Sequence, residues 1–117
     1  MRELGFIVKK QYLGKSFKYD FNNIIKGTSN YLVCKFDFDS EWNGFTKAAE
    51  FVKKNKPKSR NSTSQGVIEE SYGELIKDGM CKIPNEVSGN DIIYMRVIGR
   101  KGEQRIVTNF VEIEQEE

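Results

Sequence analysis

The chain contains no histidine. That absence removes Ser-His-Asp and Cys-His catalysis, imidazole zinc ligation and the side chain that most readily moves protons near neutral pH. Only two cysteines and two prolines are present, and there is no Cys-x-x-Cys pair, P-loop or Gly-x-Gly-x-x-Gly element. No apolar run approaches the roughly 18 residues that cross a bilayer as a helix. The opening segment, Met1 to Lys10, has too short an apolar centre for a secretory signal. These absences lead to the expectation of a non-catalytic chain that folds in a cytoplasm, with no membrane partner and no cofactor.

What is present is 117 residues, 38% of them hydrophobic, with eight Phe, five Tyr and one Trp. That length suits one hydrophobic core and is too short for two ordinary ones, so residues 1–117 are read as a single domain. The aromatic rings supply much of the core volume. No long amphipathic helix is visible. About seven to nine short strands, with turn residues every eight to twelve positions, predict an all-β chain folded as one antiparallel β-sandwich, Ig-like or jelly-roll-like, with little or no helix.

Taken in order, residues 4–13 predict a first strand ending at Gly14, and Phe17, Tyr19 and Phe21 a second strand with one aromatic face. A loop over 22–30 leads into 31–38, where Leu32, Cys34, Phe36 and Phe38 form an apolar row opposite Val33, Lys35 and Asp37. Turn chemistry at Ser40 to Gly44 precedes a strand over 45–54. Residues 54–66 carry no large apolar side chain and predict a basic, flexible surface loop. Short strands follow on either side of Gly73, then a turn at Asp78-Gly79 and a strand ending at Pro84. Residues 91–98 and 105–113 predict a closing hairpin. Its second strand would place Val107, Val111 and Ile113 on one face and Ile106, Thr108 and Phe110 on the other. An acidic tail, 114–117, ends the chain.

Net charge is only +2, but it is unevenly spread. Residues 47–65 hold six basic side chains against one acidic, whereas residues 66–117 hold six against eleven. Such asymmetry bears on association more than on folding. The loop cations Lys53, Lys54, Lys56, Lys58 and Arg60 could be solvated, meet an acidic protein or neutralise phosphates. No aromatic residue lies among them for bases to stack on. Trp42 has two readings, an anchor of its turn against the core or an exposed interface residue. Asp37, Asp39 and Glu41 could line up along an extended strand where a hard cation might bind, but an EF-hand loop would need glycine at position 42. Cys34 and Cys81 are compatible with one disulfide or two buried thiols, and the missing export signal favours thiols. The Cys-Trp-Cys spacing of an immunoglobulin domain is not met, because Trp42 follows Cys34 too closely and Gly79 stands where a Tyr is expected.

The series Phe36-Asp-Phe-Asp-Ser-Glu-Trp-Asn-Gly-Phe-Thr-Lys-Ala-Ala-Glu-Phe51, then Cys81-Lys-Ile-Pro84 and Ile106-Val-Thr-Asn-Phe-Val-Glu-Ile113, resembles a small domain of tail, baseplate and other virion-associated proteins of phages and prophages of low-GC Gram-positive bacteria. The likeness covers roughly residues 31–113. It departs at Asn85-Glu86-Val87, where an aromatic often precedes Glu-Val, and at the basic loop, which looks like an insertion. The resemblance implies a non-catalytic β-sandwich adaptor of a particle, in a tail, baseplate, fibre-attachment or capsid-decoration role. Its partners would be other virion proteins or copies of itself as a homo-oligomer, first in the host bacterial cytoplasm and then in the virion. It fits both a lone module and the N-terminal domain of a longer protein. A second reading is a small phage-encoded inhibitor that binds nucleic acid or a host nucleic-acid enzyme through the basic loop.

Overall fold

The computed structural model describes residues 1–55 and 68–117. Among the described residues nine strands form two sheets: β1 (Arg2–Lys9), β2 (Tyr12–Lys15), β3 (Leu32–Phe38), β4 (Thr46–Asn55), β5 (Ile68–Leu75), β6 (Met80–Lys82), β7 (Ile92–Lys101), β8 (Gln104–Val107) and β9 (Val111–Glu114). The first sheet runs β2-β1-β3-β6, and the second β5-β4-β7-β8 with β9 also on β7. Helical structure among the described residues is confined to 3-10 turns at Ser40–Trp42 and Asn85–Val87. The all-β sandwich expected from the strand pattern is what forms.

The core lies between the two inner faces. Leu4, Phe6, Val8, Cys34 and Phe36 come from the first sheet, and Ala49, Phe51, Ile93, Met95, Val97 and Ile113 from the second. Each set occupies alternate positions of its strands, which is the pattern that burying one sheet face requires. Six rings run through this core in sequence, Phe21, Phe6, Phe36, Phe38, Trp42 and Phe45, with centroid separations of 5.4, 5.5, 5.8, 5.4 and 6.1 Å. Spacings of this size are those of favourable edge and offset contacts.

Several expectations change, among them the two short strands around Gly73, which are one continuous strand, β5. The predicted first strand breaks at Lys10, whose φ of 54° turns the chain back, so that β1 and β2 form a hairpin. The sandwich is also not wholly antiparallel, because β1 and β3 pair in parallel from Arg2↔Leu32 to Val8↔Phe38. A parallel pair needs a crossover of a dozen or more residues, and here β2 and the irregular segment 16–31 supply it without a helix. The predicted aromatic strand at 17–21 is part of that crossover. Phe21 packs edge-on against Phe6, and Tyr19 lies over Gly5, where an added Cβ would sit 2.1 Å from the ring. Phe17 is 91% exposed. The guanidinium of Arg2 ties the segment down, donating to the carbonyls of Asp20 (2.6 Å), Asn22 (2.6 Å) and Asn23 (3.0 Å).

A further correction concerns the closing strand. Ile98 faces Val107 and Met95 faces Val111, three steps along β7 against four on its partner, so one extra residue is accommodated between β8 and β9. This bulge reverses the inside-outside phase. Ile106 and Val111 consequently both pack against the core, and Thr108 is buried with its Oγ1 accepting from Val97 N at 2.9 Å. Phe110 emerges on the outer face beside Arg96. Asn109, displaced by the bulge, reaches the other sheet: its Nδ2 donates to the Leu13 carbonyl and its Oδ1 accepts from Leu13 N, both at 2.9 Å. That two-point contact caps the edge of β2. Asn109→Ala strips both partners from Leu13 and is expected to cost about 1–3 kcal/mol, seen as a lower melting temperature and faster amide exchange at Leu13.

The acidic end of the chain is docked. Glu116 N donates to Ile24 O at 2.7 Å, and Gln115 is buried with Nε2 donating to the carbonyls of Ser88 and Asn90. Chain segments 24–26, 87–90 and 115–117 are thereby joined at one end of the sandwich.

Candidate functional site

Trp42 is fully buried, which selects the core-anchor reading and corrects its candidacy as an exposed partner-binding residue. The 3-10 turn that carries it begins at Asp39, whose Oδ1 accepts from Glu41 N at 3.1 Å. The other oxygen, Oδ2, accepts from Lys10 N at 2.8 Å. Trp42 Nε1 donates to the Lys10 carbonyl, also at 2.8 Å. One turn therefore grips both backbone groups of the residue that reverses the β1–β2 hairpin. Of the carboxylate row, Asp39 is thereby occupied by backbone N–H groups. Among the described residues no three His, Cys, Asp or Glu side chains converge as a metal-binding group.

Of the basic candidates, Lys53 lies near the end of β4, opposite Glu70 in register, and is half-buried. Lys54 occupies the next strand position. Lys56, Lys58 and Arg60 lie outside the described residues, as does the predicted flexible loop from residue 56 onward.

Cys34 and Cys81 stand directly opposite each other on β3 and β6, both free and buried. Burial, reinforced by a hydrogen bond to Cys81, pushes the Cys34 thiol well above its usual range. Because the thiolate is the nucleophile, Cys34 is expected to resist iodoacetamide at pH 8 in the folded protein and to react fully in denaturant, as read by mass spectrometry.

The outer face of the five-stranded sheet has a different character. Register aligns Leu75, Ala48, Ile98 and Val107 in one row across β5, β4, β7 and β8. Leu75 is 60% exposed, and Ala48, Ile98 and Val107 are half-buried. The next row runs Gly73, Glu50 and Arg96, with Phe110 alongside. Arg96 Nε donates to Glu50 Oε1 at 2.6 Å, and the guanidinium carbon lies 4.9 Å from the Phe110 ring centroid, where that ring is 42% exposed. An apolar row beside a mutually satisfied ion pair and an exposed ring is suited to burial against protein, because no unpaired charge would be desolvated at its centre.

None of these face residues was singled out from the sequence. The available signal was Ile92-Ile-Tyr-Met-Arg-Val-Ile98, a strand apolar on both faces rather than alternating. Comparison of the chain with protein-family models, curated proteins and solved structures returned no match.

Proposed function

We propose that this chain is a non-catalytic adaptor of a phage or prophage particle, acting by protein–protein binding through the outer face of its five-stranded sheet. The observation that carries the binding role is the apolar row Leu75, Ala48, Ile98 and Val107, lying open on a sheet whose other face is already the core. The particle class is supported by the ordered resemblance over Phe36 to Phe51, Cys81 to Pro84 and Ile106 to Ile113. On this reading the chain assembles in the host bacterial cytoplasm and ends in the virion. The alternative inhibitor role rests on the basic segment, most of which lies outside the described residues. Quantitative mass spectrometry of particles purified from a host expressing the gene tests the proposal. The chain is expected at a fixed ratio to other particle proteins, and Leu75→Glu is expected to deplete it. A chain that stays entirely in the soluble lysate contradicts the particle role.

A further inference from the structure

We infer that the occupant of this outer face is a second copy of the same chain, packed face to face with strand directions reversed; this rests on the reading above that the face binds protein. The face carries arginine at one end and glutamate at the other, with the apolar row and the paired Glu50 and Arg96 between them. At one end Arg100 and Arg105 share a row with Thr46. At the other, Glu112 lies in the row of Tyr94 and Val52, and Glu114 in the row of Ile92. All four charged residues are exposed. Because β8 and β9 both flank the same side of β7, Arg105, Glu112 and Glu114 fall in a single column.

A symmetric dimer uses the same patch twice, so the patch must complement itself. A two-fold axis parallel to the strands would set Arg100 and Arg105 over their own counterparts, with like charges opposed. An axis across the strands sets the arginine end of each copy over the Glu112 and Glu114 end of the other, forming the contact twice. Phe110 and the row of Glu50 and Arg96, which neutralise each other at 2.6 Å, then lie at the axis, and the apolar row of each copy covers the Val52 and Tyr94 row of the other. Strand spacing of about 4.8 Å and row spacing of about 6.8 Å give a patch of roughly 30 by 20 Å. Burying roughly 600 Å² on each copy reaches the lower end of specific interfaces, consistent with weak, salt-sensitive association.

The test is sedimentation equilibrium of the full chain at low and high salt, for wild type and two charge-reversal variants, with circular dichroism to confirm folding. Arg100→Glu/Arg105→Glu and Glu112→Arg/Glu114→Arg are each expected to associate about tenfold or more weakly than wild type. Their equimolar mixture is expected to recover dimer, because both contacts become attractive again in the mixed species. A wild type that is monomeric at every concentration, a dimer unmoved by either reversal, or a mixture that fails to recover overturns the inference. If such a monomer still enters particles and Leu75→Glu still depletes it, the adaptor reading stands with a different partner.

Discussion

Trp42→Ala is expected to destabilise the fold by about 3–5 kcal/mol, the cost of removing a large buried ring that the surroundings cannot refill. Three losses combine. The ring bridges Phe38 and Phe45, at 5.4 and 6.1 Å between centroids, so the aromatic series is cut before its end. The Lys10 carbonyl loses its donor at 2.8 Å while φ of that residue remains at 54°. The 3-10 turn also loses the side chain it exists to insert. Chemical denaturation should show a lower midpoint without a change in slope. Had Trp42 been an exposed interface anchor, the same substitution would leave stability untouched and weaken binding alone.

Gly99→Ala is expected to cost about 1–3 kcal/mol through overpacking. A methyl at Gly99 would sit 2.6 Å from Trp42 Cζ3 and 3.3 Å from Phe45 Cδ2. Neither ring is the loose end of a flexible chain. Trp42 is wedged between sheets and held by its Nε1 bond, so the strain must be taken up by β7 or by the turn. The two substitutions should be non-additive: with Trp42 already shortened to Leu, Gly99→Ala is expected to cost far less, and a double-mutant cycle reads the coupling directly.

Local period decided which parts of this fold could be read in the sequence. The stretch 32–38 was legible because its alternation continues unbroken and one face carries large rings. β4 was legible because an Asn-Gly turn precedes it, and Gly44 adopts the positive φ, at 81°, while Asn43 remains extended. The turn at Asp78-Gly79 forms as expected, with φ of 53° and 74°. Phe17, Tyr19 and Phe21 also alternate, yet their rings go to three different places because the crossover backbone there is not extended. The closing strand was misread for a related reason: a bulge adds a single residue and leaves no mark in composition, yet it reverses every side chain beyond it. The parallel pairing of β1 with β3 depends on where the crossover lands, which no local pattern encodes. The outer face escaped notice because its residues come from four strands and form a row only once register is known.

The molecule divides into an aromatic corner that holds the fold and an outer sheet face that we propose meets protein. Hydroxyl-radical footprinting of the chain, free and assembled, tests that division most directly. Leu75 and Phe110 mark the five-stranded sheet's outer face, and Phe17 is an exposed reference beside the other sheet. The predicted result is that assembly protects Leu75 and Phe110 from oxidation while Phe17 stays as reactive as in the free chain. Protection of Phe17 with Leu75 and Phe110 unchanged would contradict it.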